Sequence, residues 1–219
     1  MTADEGSARQ TLSVADLEAW VRRSAELIGE HAEELTELDA AIGDADHGTN
    51  MKRGLAAAVD AVGAGGFTAA DALLKKVGTT LVSTVGGAAG PLYGTFFLRT
   101  GGALSGQDGI DARALAAGLE AGIGGIAARG RATTGEKTML DAWSPALKAL
   151  RTHPGDLAAG VSAAVQAAAE GREATKSMVA TKGRASYLGE RSVGHIDPGA
   201  ASTVLLLTAL DDVVAGRAS

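Results

Sequence analysis

Three aspartates, Asp39, Asp44 and Asp46, lie within eight residues of one another, and His47 follows directly. Carboxylates this close repel one another unless a cation neutralises them. The chain has no cysteine, so any metal ligands would be oxygen or histidine, and an all-oxygen set suits Mg²⁺, Mn²⁺ or Ca²⁺ better than zinc. The cluster is therefore a candidate cation site. A solvated acidic turn whose aspartates cap helices is the alternative.

The spacing of the aspartates excludes an EF-hand calcium loop. If such a loop began at Asp44, its required glycine would fall on Thr49 and its bidentate glutamate on Leu55. Three carboxylates without a closed cage are instead typical of magnesium sites that substrate phosphates complete, as in phosphoryl transfer. We therefore expect a phosphate-bearing ligand near the cluster.

Two glycine-rich segments in the middle of the chain could approach such a ligand. Residues 86–91 precede a helix that Pro91 would open, and small residues there let free backbone N–H groups meet an anion. The alternative interpretation is that this segment is only a turn between two helices. Residues 130–138 nearly match a Walker A loop, but Glu136 separates the second glycine from Lys137 and the preceding segment is helical. A P-loop, which follows a strand, is therefore excluded.

A third segment, residues 183–199, contains two arginines, two hydroxyl side chains and several glycines. Arginine and hydroxyl groups are suited to oxyanion contacts. A structural omega-type loop would have a similar composition, and His195 alone is more typical of a satisfied loop histidine than of a metal ligand. The segment is therefore a candidate for anion binding that the spacing alone does not decide.

Helices must position these segments. No convincing alternating run is present, aromatic residues are only 3% of the chain, and alanine and glycine are abundant. Apolar residues at helical spacing predict about eight helices, within residues 13–39, 51–63, 73–82, 91 onward, 111–126, 142–150, 158–181 and 198–214. Antiparallel neighbours would bring segments 39–50, 86–93 and 130–139 to one end. We expect one all-α domain over residues 1–219, frayed at about 1–10 and 216–219.

Composition narrows the class of protein. The net charge is −6 and no basic stripe is present, so that the sequence does not predict nucleic-acid binding. No apolar run approaches the roughly 20 residues that cross a bilayer, and the N-terminus lacks the pattern of a signal peptide. We therefore expect a cytoplasmic protein that does not bind membranes.

Taken together, the motifs resemble the nucleotide-binding L subunit of dihydroxyacetone kinase. The segments that carry the resemblance are 41–48, 86–97, 137–139 and 183–199, in the family's order, and the likeness extends from about residue 20 to 210. It implies an antiparallel barrel of about eight helices with the nucleotide site at one end. It also implies ADP or ATP held through two Mg²⁺ on Asp39, Asp44 and Asp46.

The resemblance further implies which positions surround the nucleotide. They are His47 and Asn50 at the phosphates, and Ala88, Ala89, Gly130, Thr138, Met139, Arg184, Asp197, Pro198 and Gly199 around the rest. Related subunits often carry serine where this chain has Ala89, so only the backbone N–H is available there. No residue of this chain is predicted to act as a general base, and Arg184 is expected to spread the charge of the transferred group.

Partners also follow from the resemblance. A separate K subunit would hold dihydroxyacetone covalently on a histidine, and this chain would supply the phosphorylated nucleotide. One branch of the family consumes ATP, another recharges bound ADP from a phosphohistidine on an M subunit, and single-chain kinases fuse the K and L halves. The length of this chain favours a free-standing L subunit recharged by an M subunit.

Two other functions stay open at this point. One is a related kinase with another acceptor, such as a different ketose or a fatty acid on a carrier protein. The other is a non-catalytic nucleotide sensor. The aspartate triplet argues against a sensor, because sensing does not require two metals at the phosphates, and the segment 183–199 is more similar to the dihydroxyacetone type.

Overall fold

Helices make up the regular structure of residues 10–218, the part of the chain that the computed structural model describes. They are α1 (Val14–Glu30), α2 (Ala32–Ile42), α3 (His47–Gly63), α4 (Ala70–Thr84), α5 (Ala89–Ala103), α6 (Ala112–Gly130), α7 (Leu140–Leu150), α8 (Leu157–Ala174) and α9 (Pro198–Val214), with 3₁₀ segments at Thr175–Ser177 and Arg184–Ser192. The β-type pairing in this range is one isolated bridge between Leu12 and Ile110. The all-α prediction is confirmed. The predicted fraying of the N-terminus falls almost wholly on residues 1–9, outside the described range.

The helices close into a ring. α1 packs against α3, each of α3 to α8 packs against the next helix in the chain, and α9 packs back against α1. α2 stands outside this ring and covers α3 and α9 at one end. The ring of eight helices matches the predicted barrel. Within residues 10–218, no helix is both long and apolar enough to cross a bilayer.

The core combines a few large aromatic side chains with many small ones. Phe96 stacks on Trp143 with ring centroids 4.4 Å apart, and Phe97 contacts Trp20, whose indole N–H donates to the Leu206 carbonyl. Elsewhere small residues let the helices approach closely. At Gly78 a Cβ would lie 2.7 Å from the carbonyl oxygen of Gly94, so α4 and α5 can meet at this distance only without side chains there.

The structure corrects two predicted helices. Residues 13–39 were expected to form one helix, but the backbone departs from helical geometry at His31, and α2 turns toward α3 and α9. The helix expected to reach residue 181 ends at Ala174. Its hydrogen-bond ladder stops there because the Thr175 hydroxyl donates to the Arg172 carbonyl, and the Thr175 carbonyl accepts from the Lys137 ammonium. A partner 38 residues away thus ends the helix.

One end of the barrel collects the polar segments. The C-terminal end of α2 and the N-termini of α3, α5, α7 and α9 meet there, together with the loop that follows α8. Segments 39–50, 86–93 and 130–139 lie at this end, as the antiparallel packing of neighbouring helices predicts. Four helix N-termini direct partial positive charge toward the same space, which favours an anionic ligand.

Candidate metal and nucleotide site

A cavity of about 300 Å³ occupies this end of the barrel. Its lining includes thirteen of the fourteen positions predicted above, namely Asp39, Asp44, Asp46, His47, Ala88, Ala89, Gly130, Thr138, Met139, Arg184, Asp197, Pro198 and Gly199. These positions come from the four segments 39–50, 86–93, 130–139 and 183–199 and meet only in the folded chain.

The three aspartates form a compact carboxylate cluster. One oxygen from each of Asp39, Asp44 and Asp46 lies within 4.8 Å of the others. Asp39 is buried in the last turn of α2, where its Oδ2 accepts hydrogen bonds from the backbone N–H groups of Asp46 (2.9 Å) and His47 (3.2 Å). These two bonds fold the chain after α2 back over Asp39, so that the more exposed Asp44 and Asp46 reach the same point.

The donor set of this cluster fits a divalent cation. Three hard carboxylate oxygens suit Mg²⁺ or Mn²⁺. Among the described residues, the cationic side chain paired with the cluster is Arg184, whose guanidinium lies 3.0 Å from Oδ2 of Asp44. One guanidinium leaves most of the carboxylate charge uncompensated, so a bound cation would relieve the remaining repulsion.

His47 is hydrogen-bonded to a chain of buried hydroxyl groups. The ring Nε2 lies 2.9 Å from the Ser202 hydroxyl, which is 2.7 Å from the Tyr93 hydroxyl. Tyr93 also lies within hydrogen-bonding distance of Thr203 (3.1 Å) and of the Gly199 carbonyl (3.1 Å). Burial lowers the pKa of His47, although Asp39 and Asp46 oppose this effect. His47 is therefore a neutral imidazole near pH 7, held in place from α9.

Sequence analysis missed Tyr93, Ser202 and Thr203 as members of the site. The available signal is the pair of hydroxyl residues Ser202 and Thr203 in the otherwise apolar helix α9, where both side chains are fully buried. Buried hydroxyls need partners. Their partner Tyr93 is more than a hundred residues away in the chain, so spacing could not identify it.

The cavity lining also contains apolar side chains. They are Ile42, Leu92, Ile126, Ala132, Met139 and Leu140. A cavity lined by both carboxylates and apolar side chains is suited to a ligand that carries phosphates and a flat ring.

Comparison with known proteins agrees with this geometry. Residues 41–212 match the model of the DAK2 domain. The chain belongs to the DAK2 domain family. It is 47% identical to the ADP-binding subunit DhaL of PEP-dependent dihydroxyacetone kinase 1 of Listeria innocua, over 87% of this chain and 92% of that protein. It is 40% identical to the ADP-binding subunit DhaL of the PEP-dependent dihydroxyacetone kinase of Escherichia coli, over 91% and 97%.

A solved structure shows the same fold. The dihydroxyacetone kinase of C. freundii, in complex with AMP-PNP and Mg²⁺, superposes with a TM-score of 0.71 at 25% identity, covering 97% of this chain and 37% of that chain. The resemblance to L subunits that the motifs indicated is thereby confirmed.

Of the fourteen positions predicted for the site of this DAK2 domain, Asn50 is the one that does not line the cavity. Its side chain is buried, its Oδ1 accepts a hydrogen bond of 2.7 Å from Arg53, and it lies directly beneath Gly86. The predicted contact of Asn50 with the phosphates stays a prediction. In this structure its Oδ1 accepts from Arg53 and its side chain lies against the turn that begins at Gly86.

Gly43 sets the position of Asp39 in this DAK2 domain. A Cβ at Gly43 would overlap Oδ1 of the Asp39 carboxylate, so the Gly43→Ala variant must displace it. We expect Gly43→Ala to weaken Mn²⁺ binding, measured by calorimetry, by at least about tenfold, the loss of one well-placed ligand. Gly29→Ala is the matched control, because a Cβ there meets no atom within 4 Å. Unchanged Mn²⁺ affinity in Gly43→Ala would contradict this role.

Asp197 caps α9 by accepting a 2.7 Å hydrogen bond from the N–H of Ala200. Burial raises its pKa from 3.8 to about 7, with Asp141 adding to the rise and Lys137 opposing it. At a pH between these two pKa values, Asp197 keeps its proton in the folded chain and loses it in the unfolded chain. The stability that Asp197 contributes is therefore complete below about pH 4 and is lost as the pH rises to about 7.

We therefore expect the free energy of unfolding of wild type, relative to Asp197→Asn, to fall by a few kcal/mol, as an order of magnitude, between about pH 4 and 7. Urea denaturation across this range measures the difference. Asp156→Asn is the control, because Asp156 caps α8 through the same kind of bond but is exposed. An unfolding curve for Asp197→Asn that follows the pH dependence of wild type would rule out the proton on Asp197.

Proposed function

We propose that this chain is the ADP-binding L subunit of a PEP-dependent dihydroxyacetone kinase and delivers a phosphoryl group to dihydroxyacetone held on a separate K subunit. The observation that carries the proposal is the carboxylate cluster in a cavity that is also lined by apolar side chains. The chain also spans nearly the full length of ADP-binding subunits to which it is 40% and 47% identical.

The cavity lining offers groups that suit each part of ADP. In this proposal the diphosphate binds at the carboxylate cluster and at the N-terminus of α5, where Ala88 and Ala89 offer backbone N–H groups. The adenine ring would pack against apolar side chains of the lining, with Met139 and Pro198 among its neighbours.

Asp39, Asp44 and Asp46 would hold two Mg²⁺ in this proposal. When bound, the metal ions neutralise charge on the phosphate oxygens. Asp39 is fixed by two backbone N–H groups, whereas Asp44 and Asp46 are more exposed and can face the ligand. A rigid buried carboxylate with two accessible ones suits a site that the nucleotide completes.

The chain's own contribution to the reaction is placement and charge stabilisation. Arg184 lies on the loop that overhangs the carboxylate cluster, with its guanidinium exposed toward the cavity mouth. From there it can spread the negative charge of the transferred group. We assign no general base to this chain, because His47 is buried and occupied by Ser202.

The acceptor must come from a partner. In this proposal a K subunit covers the open end of the barrel against segments 86–93 and 183–199, and a phosphohistidine on an M subunit recharges ADP. Phosphoryl transfer requires donor and acceptor to be aligned closely, which a single open site does not provide. The complex would act in the cytoplasm.

A coupled assay for dihydroxyacetone phosphate tests the proposed function. The purified chain is assayed alone, with a K subunit and ATP, and with a K subunit and a PEP-driven phosphohistidine donor. We expect no turnover by the chain alone and turnover with the K subunit and the phosphohistidine donor. Robust turnover by the isolated chain would contradict the split site. Silence with a cognate K subunit and every donor, despite retained ADP binding, would favour the sensor instead.

A further inference from the structure

The loop that carries Arg184 is closed at its neck. It leaves α8 at Thr175 and returns at Asp197, and the backbone N–H of Asp197 donates to the Thr175 hydroxyl (3.0 Å). One step inside this contact, the N–H of Gly194 donates to the Lys176 carbonyl (2.7 Å). The loop between these residues reaches across the cavity mouth to Asp44. The placement of Arg184 therefore depends on how firmly the neck is held.

Lys137 joins both sides of this neck to the body of the protein. Its ammonium donates to the Thr175 carbonyl on the outgoing side and to the His195 carbonyl on the returning side. Its side chain is only 1% exposed. A buried ammonium between two carbonyls from opposite sides of a loop is a direct link across the neck, and two of its three N–H donors are used by it.

The turn that presents Lys137 is itself fixed. The Asp141 carboxylate accepts from the backbone N–H groups of Gly135 and Thr138, which flank Lys137. Lys137 has a φ of +61°, in the left-handed region that is costly for a residue with a side chain. Such backbone persists only where the surroundings over-determine it, which indicates that the direction of this side chain is important.

The Lys137 ammonium lies near groups that carry negative charge or partial negative charge. The Thr175 carbonyl lies just beyond the C-terminus of α8, where the helix dipole favours a cation. Burial lowers the pKa of the Lys137 ammonium, and the charges of Asp197 and Asp141 oppose this effect. Removal of the ammonium would leave two carbonyls at the neck without this donor and would free both sides of the loop.

We propose that Lys137 is a positioning residue for Arg184, acting through the neck of the 175–197 loop. The neighbouring residue Glu136 reinforces the same attachment, because its backbone carbonyl accepts from the N–H of Thr181 (3.3 Å) and its carboxylate lies 3.7 Å from the Lys182 ammonium. The inference rests on the proposed function, in which Arg184 stabilises the transferred phosphoryl group.

A double-mutant cycle in the coupled assay tests the link between Lys137 and Arg184. Lys137→Met, Arg184→Ala and the double variant are compared with wild type in the presence of the K subunit and donor. We expect Lys137→Met to lower turnover at least about tenfold in wild type but less than about threefold in Arg184→Ala, with ADP affinity changed less than about threefold in each case. Effects that multiply in the double variant, or a loss confined to ADP affinity, would overturn the inference.

Limited trypsin digestion supplies a second measurement that needs no turnover. The loop contains Lys182, Arg184 and Arg191, and a freed neck should expose these bonds. We expect Lys137→Met to be cleaved there several-fold faster than wild type, and Lys148→Met, an exposed lysine on α7, to be cleaved at the wild-type rate. If Lys137→Met does not fold by circular dichroism, Lys137→Gln, which replaces the ammonium by a shorter, uncharged amide, is used instead.

Unchanged cleavage in the folded variant overturns the positioning role whatever the turnover. Faster cleavage in a preparation that shows no turnover with any K subunit and donor would instead keep the anchored neck and count against the proposed function. The positioning role of Lys137 and the proposed function are therefore tested by different measurements.

Discussion

Asp39→Asn is expected to weaken magnesium-dependent ADP binding by at least about 100-fold, which corresponds to about 2.7 kcal/mol. The amide keeps the shape of the carboxylate, and its oxygen can still accept from the N–H groups of Asp46 and His47. What is lost is the negative charge of the buried member of the cluster. Calorimetric titration with ADP, with and without Mg²⁺, measures the change.

Thermal melting supplies an independent measure of the same effect. A ligand at 100 times its dissociation constant stabilises the folded state by about 2.7 kcal/mol. The melting temperature of wild type should therefore rise with ADP and Mg²⁺ together, rise much less with either alone, and return when EDTA is added. Asp39→Asn should lose this rise but keep its ligand-free stability, because one source of carboxylate repulsion is removed.

Asp60→Asn is the matched control for Asp39→Asn, because Asp60 is an exposed aspartate near the other end of α3. It should bind ADP and melt as wild type does. Full magnesium-dependent binding by Asp39→Asn, or equal stabilisation by ADP in the presence and absence of metal, would show that the cluster does not hold the phosphates through a cation.

Arg184→Ala is expected to lower turnover in the reconstituted kinase by about 100- to 1,000-fold while ADP affinity changes less than about tenfold. The guanidinium is 66% exposed at the cavity mouth and pairs with Asp44, which is itself more than one-third exposed. A contact this open adds little to ground-state affinity. Its effect should arise where charge develops during transfer, so kcat should fall much more than binding.

The second arginine of the same 3₁₀ segment is the control for Arg184. Arg191 is exposed, and it is not part of the cavity lining. Arg191→Ala should therefore keep turnover within about threefold of wild type. Equal losses of turnover in the two variants would indicate that the loop as a whole, and not the Arg184 guanidinium, is responsible.

Sequence alone determined the fold class and the chemistry of the polar end. Helical periodicity, the absence of alternating runs and capping residues such as Ser13 and Pro198 are local properties, so they predict helices before any contact is known. The crowding of Asp39, Asp44 and Asp46 is also local. Their repulsion points to a cation in any fold that keeps the three residues together.

Tertiary structure decided what depends on distant partners. The bend at His31 and the end of α8 follow from packing and from the Lys137 contact, and no periodicity within either helix marks them. Asn50 lies within the aspartate segment by sequence, yet its side chain pairs with Arg53, lies against Gly86 and is not part of the cavity lining. A side chain's direction on a helix is fixed by its neighbours in space, which the order of residues does not reveal.

The same reason explains the groups that sequence analysis did not assign to the site. Tyr93 meets Ser202 across 109 positions of the chain, and Lys137 meets His195 across 58. Each is an ordinary residue in its own segment and acquires a role only when folding brings a buried donor and acceptor together, since buried polar groups must pair. The sequence thus specified the charged groups of the site, and the closure of the barrel decided which side chains hold them in position.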